Sequence, residues 1–138
     1  MKQRILIISD DRTSESLRRA LDQRGFDVAL TEDANDGYRQ LQDAPFDLVL
    51  VNLDSAIAGA GLIKRIRSNG DPGQLRIMTV AEWGTGQATM ALAQGVDAFE
   101  PKPVEVVRLV EAIERSLQPV AMTAWARTTK RDLEDSQT

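Results

Sequence analysis

The sequence predicts an α/β protein with a doubly wound parallel sheet and helices on both faces of that sheet. Residues 47–53 are a largely apolar run without alternation, with a polar entry at Asp47 and a polar exit at Asn52, a pattern typical of a central strand buried on both faces. Four other short apolar runs alternate with segments of helical periodicity across short connections. Strands connected in this way run parallel through right-handed crossovers. Ligands of such sheets bind beyond the carboxyl ends of the strands, so we expect the functional site there.

The composition and charge of the chain exclude several classes of function. A chain of 138 residues, of which 42% are hydrophobic and 28% charged, fits one soluble globular domain. The net charge of −4 and the pI of about 4.9 predict no direct binding to nucleic acid or to an anionic membrane. Cysteine and histidine are both absent, which excludes thiolate and imidazole metal ligands and Ser-His-Asp catalysis. No apolar run reaches the ~20 residues that span a bilayer, and we expect a cytoplasmic protein.

The first half of the chain predicts two strand-helix units before the central strand. Residues 5–8 form a strand, and residues 13–24 form a helix with two leucines four positions apart. Gly25 follows as the glycine that ends this helix. Residues 26–30 are the second strand, and residues 32–43 are the second helix, which ends shortly before a proline.

The second half of the chain predicts three further helices and two further strands. The small residues 54–61 form a flexible connection, and the third helix runs from there to the Asn-Gly pair at residues 69–70. Residues 75–80 are the fourth strand, followed by a glycine-rich loop and a short fourth helix. Residues 96–99 are the fifth strand, and residues 104–117 are the fifth helix.

Four pieces of this pattern match one family. They are residues 4–8 with the acidic residues that follow them, residues 47–53, residues 75–80 and residues 95–103. In this order and spacing the chain resembles a response-regulator receiver domain of two-component signalling over about residues 3–118. The resemblance implies a flavodoxin-like sheet with the strand order 2-1-3-4-5. It also implies a phosphoryl-transfer pocket at the strand ends.

The last part of the chain differs in composition. Residues 119–138 are dominated by Thr, Arg, Lys, Asp and Glu, and their mixed charge is typical of a solvated segment. We therefore expect a receiver-like domain over residues 1–118 and a polar C-terminal tail, or the start of a linker, over residues 119–138.

The phosphoacceptor position is the main departure from the family. The resemblance implies an aspartate at the end of the third strand, and Asn52 occupies that position. A carboxylate is an anionic nucleophile that forms an acyl phosphate, whereas a carboxamide oxygen is neutral, so Asn52 is not expected to be phosphorylated. If the alignment is shifted by two residues, Asp54 occupies the phosphoacceptor position and Leu53 lies next to it. The sequence thus predicts a degenerate receiver, or pseudo-receiver, with Asp54 as the fallback acceptor.

The acidic pocket that holds Mg²⁺ in the family is also altered. The first strand aligns Ser9 and Asp10 with the paired acidic positions, and a slide by one residue restores an Asp10/Asp11 pair. The alternative role for both aspartates is to cap the first helix. Mg²⁺ is commonly held by one or two carboxylates together with waters. We expect weak Mg²⁺ binding at best, with Asp10, the Asn52 side-chain oxygen and the main-chain carbonyl of Asp54 as ligands.

The other pocket positions are partly retained. The hydroxyl that the family places after the fourth strand falls on Ala81, and Thr79 lies two residues back inside the strand. Lys102 matches the family's lysine, and the resemblance implies a cis peptide bond to Pro103. This lysine either points into the pocket, where it could pair with the aspartate after the first strand, or lies on the surface. Phe99 matches the aromatic residue that reports the state of the pocket.

Residues in two loops each have two possible roles. Trp83 lies beside glycines on the predicted output face and is either a packing residue or a contact for a partner. The Gly-Ala-Gly segment at residues 59–61 is either a flexible turn or a phosphate cradle of backbone N–H groups. It lacks the Walker lysine spacing and the full dinucleotide pattern, which favours the turn.

Together these patterns predict a signalling module rather than an enzyme. We expect it to act by protein-protein interaction without phosphorylation, with a histidine kinase, an output domain or another signalling protein as partner. A homodimer through the fourth helix, the fifth strand and the fifth helix is a further expectation. Two alternatives stay open. One is a receiver phosphorylated at Asp54, and the other is a flavodoxin-like small-ligand binder, which lacks a second aromatic residue near residues 59–61 to stack a flavin.

Overall fold

The computed structural model describes residues 2–10, 12–53, 59–68, 75–82 and 95–117. Its strands are β1 (Arg4–Ile8), β2 (Asp27–Thr31), β3 (Leu48–Asn52), β4 (Arg76–Glu82) and β5 (Ala98–Lys102). Its helices are α1 (Thr13–Gln23), α2 (Ala34–Asp43), α3 (Gly59–Ser68) and α4 (Val106–Ser116). The predicted fourth helix falls on residues outside the described ranges, so α4 is the fifth helix of the sequence prediction. None of the described helices is long and apolar enough to cross a membrane.

The five strands form one parallel sheet in the order β2-β1-β3-β4-β5. Helices α1 and α4 cover one face of this sheet, and α2 and α3 cover the other. The predicted flavodoxin-like, doubly wound fold is therefore confirmed. Parallel strands place all their carboxyl ends at the same edge, and this arrangement positions the site.

Alternation along the strands divides the core into two apolar layers. In β1, Ile5 and Ile7 pack in the layer with α1 and α4, whereas Leu6 and Ile8 pack in the layer with α2 and α3. Every residue of β3 is buried, which confirms the prediction of a central strand covered on both faces.

Local sequence explains where the first two helices begin and end. The apolar face of α1 is formed by Leu17 and Leu21, which are both buried. The chain leaves this helix through Gly25, whose φ of 93° lies in the left-handed region that glycine adopts without steric cost. Helix α2 begins after Asp33, because the side chain of Asp33 accepts a hydrogen bond of 3.0 Å from the N–H of Asn35.

The predicted bounds of three elements were wrong. β4 continues to Glu82 rather than ending at residue 80, and β5 begins at Ala98 and continues to Lys102. These two strands extend because each supplies the backbone partner of the other as far as the Glu82/Lys102 pair. Pro101 is tolerated because β5 lies at the edge of the sheet, where the missing N–H leaves no ladder bond broken. Helix α3 begins at Gly59, inside the segment predicted as a flexible connection.

Close packing of α2 on β1 predicts opposite effects for two glycine substitutions. A Cβ at Gly37 in α2 would lie 2.5 Å from Cδ1 of the buried Ile8, whereas a Cβ at Gly61 in α3 meets no atom within 4 Å. We expect Gly37→Ala to lower the free energy of unfolding by about 1–3 kcal/mol through overpacking. Gly61→Ala should raise it by up to about 1 kcal/mol, the usual gain of alanine over glycine inside a helix. Urea unfolding of both variants measures this difference, and equal shifts would contradict the described packing.

Candidate functional site

Strand pairing brings polar side chains from three strands to the carboxyl edge of the sheet. Ser9 directly follows β1, and Asn52 is the last residue of β3, paired with Val80 of β4. Lys102 is the last residue of β5 and is paired with Glu82. On β1 and β3 the residues two positions earlier, Ile7 and Leu50, are apolar and belong to the core, so the polar groups Ser9 and Asn52 begin where the hydrophobic layer ends.

A pair of hydrogen bonds connects three of these side chains. Lys102 Nζ donates to Asn52 Oδ1 over 2.8 Å, and Asn52 Nδ2 donates to Ser9 Oγ over 3.1 Å. A lysine ammonium can only donate, which determines that the amide oxygen faces Lys102 and the amide nitrogen faces Ser9. Asn52 and Ser9 are only 3% and 4% exposed, so these bonds form away from bulk water. The ammonium of Lys102 therefore points into the pocket, and the peptide bond to Pro103 is cis.

This arrangement determines the chemistry available at residue 52. The side chain that meets the lysine is a neutral amide, not the carboxylate that forms an acyl phosphate. Buried polar groups need hydrogen-bond partners, and a bond to a charged group contributes about 1.5–3 kcal/mol. Both polar atoms of the Asn52 amide are hydrogen-bonded, the oxygen to Lys102 and the nitrogen to Ser9. Lys102 thereby has an acceptor for its ammonium. These two hydrogen bonds thus join the three strands at their carboxyl ends.

The structure places the β4 position of the pocket one residue earlier than predicted. Ala81 is fully buried in the layer with α2 and α3, on the face of the sheet opposite to Asn52. Val80 is paired with Asn52 and faces the pocket, because successive strand residues point to opposite faces. Thr79 also faces away, and its Oγ1 is buried with no hydrogen-bond partner among the described residues. Phe99, paired with Thr79, packs in that same opposite layer.

The described oxygens fit a magnesium ion poorly. Asp10 supplies one carboxylate and is exposed, and the N-cap position of α1 is Arg12 rather than an aspartate. The Asn52 oxygen is 2.8 Å from the ammonium of Lys102, which would repel a cation placed on that oxygen. Within the described ranges no three acidic or other metal-ligating side chains cluster together. Of the predicted ligands, Asp11 and the Asp54 carbonyl lie outside these ranges.

A cavity of about 590 Å³ lies directly below these polar groups, between the sheet, α1 and α4. We call it the edge cavity. Its polar lining residues are Ser9, Thr13, Ser14, Asn52, Glu82 and Lys102. Its apolar lining residues are Ile7, Leu17, Leu50, Val80, Pro103, Val104, Val106 and Leu109. Ser14, Glu82 and Val80 were not predicted as site residues from the sequence. The one sequence signal was the pair of small polar residues at the start of α1, which resembles an ordinary helix cap.

Several predicted site features fall on residues that the structure does not describe. These are Asp11, the fallback acceptor Asp54, the possible partner contact Trp83 and the C-terminal tail of residues 119–138. They stay predictions.

Comparison with known proteins gives a consistent family. A family model described as "Response regulator receiver domain" matches residues 5–114. The response regulator MprA of Mycobacterium leprae is 33% identical over 120 residues, which are 83% of this chain and 51% of that protein. The MprA protein of Mycobacterium tuberculosis is 30% identical over 124 residues, 86% of this chain and 54% of that protein. The chain thus spans about half the length of these curated relatives.

Solved structures agree with the sheet topology. The receiver domain protein (CheY-like) of Methanospirillum hungatei superposes with a TM-score of 0.76 at 26% identity, covering 85% of this chain and 94% of the other. An orphan response regulator of H. pylori superposes with a TM-score of 0.74 at 23% identity, covering 84% and 97%, a likeness of fold. Receiver domains are signalling modules rather than classical enzymes, and they typically bind Mg²⁺. From the family match and the shared fold, this chain belongs to the response regulator receiver domain family.

Proposed function

We propose that this receiver domain is a protein-interaction module of a two-component pathway and does not use phosphorylation as its switch. The Asn52 amide, held between Lys102 and Ser9 at the phosphoacceptor position, is the observation that carries the proposal. It removes the anionic nucleophile and gives the pocket lysine an acceptor in the absence of a phosphoryl group. Weak Mg²⁺ binding at best is part of the proposal, since Asp10 is the one carboxylate in the described donor set.

The β4 side of the pocket supports the same proposal. A hydroxyl that moves toward a bound phosphoryl group is the first step by which the family's pocket would act on its aromatic residue. Val80 has no hydroxyl, and the hydroxyl of Thr79 lies on the opposite face of the sheet. A conformational change at Phe99 would therefore have to be caused by something other than a phosphoryl group on residue 52.

The proposed partner is another protein, namely a histidine kinase, an output domain or a further signalling protein. We place the contact on the predicted fourth helix, β5 and α4, where the domain would also form a homodimer. The described part of this surface includes Val107 of α4, whose apolar side chain is 62% exposed. Sedimentation across a concentration series tests the homodimer, and a monomer at every concentration would exclude it. Residues 1–118 as the receiver unit and a cytoplasmic location stay predictions.

Incubation with acetyl phosphate and MgCl₂, followed by intact mass measurement, tests the loss of phosphorylation. We expect no phosphoryl adduct on the native protein, because the amide of Asn52 cannot form an acyl phosphate. A phosphorylatable receiver domain of another protein, treated in the same tube, shows that the reagent is active.

An adduct on the native protein would overturn the proposal. The Asp54→Ala variant then locates the acceptor: loss of the adduct would identify a receiver that is phosphorylated at Asp54, the alternative that the sequence left open. An adduct that survives this substitution would place the acceptor at another carboxylate.

A further inference from the structure

The edge cavity has two zones of different polarity. Ile7 and Leu50 precede Ser9 and Asn52 by two residues on their strands, so they line the same face about 7 Å deeper, at roughly 3.3 Å per strand residue. On α1, Leu17 lies one helical turn below the start of the helix and also lines the deep zone. The cavity therefore changes from hydrogen-bonding groups at the sheet edge to aliphatic groups inside.

Exposure of the lining residues shows where the cavity opens. Thr13, Glu82 and Pro103 are exposed and form its rim, whereas the residues of the deep zone are buried. An opening at the sheet edge leads a ligand past the polar zone first. Protein interiors contain few voids larger than a water molecule, and ligand sites measure about 300–1,000 Å³. At about 590 Å³ the edge cavity has the size of a site for a small molecule.

The charge inside the cavity favours an anionic head group. Lys102 is half-buried, and its ammonium reaches the buried amide of Asn52, where solvent screens it weakly. Glu82 is the acidic residue of the described lining and is paired in register with Lys102, but it is exposed on the rim, where water screens its charge more than that of the half-buried ammonium. The positive end of the α1 dipole also lies at the rim, at Thr13. Glu15, in the first turn of α1, is paired with Arg18.

We propose that the edge cavity binds a small amphipathic monoanion, with an aliphatic or aromatic body in the deep zone and a carboxylate at Lys102. Burial of the body in the deep zone supplies most of the affinity, since apolar contact area drives such binding. The carboxylate contacts Lys102 and the neutral hydrogen-bonding groups around it, and this contact sets the orientation. The ligand would enter at the edge of the sheet that the family uses for its input.

This site does not depend on the absence of phosphorylation. The cavity lies below residue 52, and the residues that line its deep zone play no part in phosphoryl chemistry. Phosphorylation of the native protein would overturn the proposed function and would not decide whether the unmodified protein binds the ligand. Failure of ligand binding would overturn this inference and leave the proposed function unaffected.

Titration with octanoate and with octanol tests the site in the native protein. Calorimetry gives the affinity, and methyl NMR signals of Ile7, Leu17, Leu50 and Leu109 report where the ligand binds. We expect octanoate to bind, and to bind more tightly than octanol. Octanoate should shift the methyl NMR signals of these four residues more than those of the apolar residues of α2 and α3. Absence of octanoate binding, or shifts centred on α2 and α3, would overturn the inference.

Two substitutions in α1 form a matched pair. Ser14 is buried and lines the cavity, whereas Ser16 lies two residues away on the exposed face of the same helix. A phenylalanine at position 14 would fill part of the cavity volume. We expect Ser14→Phe to weaken octanoate binding about tenfold or more, a loss of one decade in Kd or greater. Ser16→Phe should bind like the native protein, and equal effects of both substitutions would overturn the inference.

Lys102→Gln tests the head-group contact independently of cavity volume. Glutamine keeps a donor for the Asn52 oxygen and removes the positive charge. We expect this variant to bind octanoate less tightly than the native protein and octanol about equally well. Loss of octanoate and octanol binding in equal proportion would overturn the assignment of the carboxylate to Lys102.

Discussion

Acetyl phosphate is expected to label a Ser9→Asp/Asn52→Asp double variant at residue 52, although it leaves the native protein unlabelled. Asn52→Asp places a carboxylate where the amide oxygen now lies 2.8 Å from Lys102 Nζ, so the nucleophile is introduced at a position that already faces the ammonium of this lysine. Ser9→Asp adds a second carboxylate beside Asp10, which meets the preference of Mg²⁺ for one or two carboxylates plus the phosphate. The expected change is from no detectable adduct to a readily measured one.

The two single variants are the matched controls for this experiment. Ser9→Asp alone should gain no adduct, because the amide at residue 52 remains. Asn52→Asp alone should be labelled more slowly than the double variant, because its donor set has one carboxylate fewer. Both substituted positions are buried, so urea unfolding is needed to show that each variant is folded. A folded double variant that gains no adduct would mean that the pocket lacks more than these two carboxylates, and Val80 would be the first residue to examine.

Much of the fold could be predicted because its strands carry a strong local signal. A run of five buried residues in β3 has few interpretations other than a central parallel strand. The ends of β4 and β5 could not be predicted in the same way. Their last residues, Glu82 and Lys102, are polar and carry no apolar periodicity, and they are in strands because each pairs with the other. The partner strand, not the local sequence, determines where such strands end.

In the site, too, some residues could be predicted from the local sequence, and others depend on how the strands pair. Ser9, Asn52 and Lys102 were identified from the sequence because they directly follow or end apolar strands, and the structure joins them by hydrogen bonds. The β4 position was assigned to Ala81, one residue beyond Val80, because a shift of one residue is invisible without the pairing partner. The edge cavity was missed because its volume results from side chains of two helices and four strands packing together.

Ile113→Ala is expected to lower the free energy of unfolding by about 2–5 kcal/mol. Ile113 lies on α4, is fully buried and belongs to the apolar layer that α4 shares with α1. Removal of its three carbon atoms forfeits their transfer free energy and leaves a void that the close-packed layer can only partly close. Natural domains are stable by about 5–15 kcal/mol in total, so this one change would use a large part of that margin.

Val107→Ala on the same helix is the matched control. Val107 is 62% exposed, so its truncation should change the free energy of unfolding by no more than about 0.5 kcal/mol. Urea unfolding gives both values, and the midpoint should fall clearly for Ile113→Ala with little change in slope. If both variants lost the same small amount of unfolding free energy, α4 would not pack on the sheet as described. Because Leu109, one turn before Ile113, also lines the edge cavity, that result would remove one wall of the cavity as well.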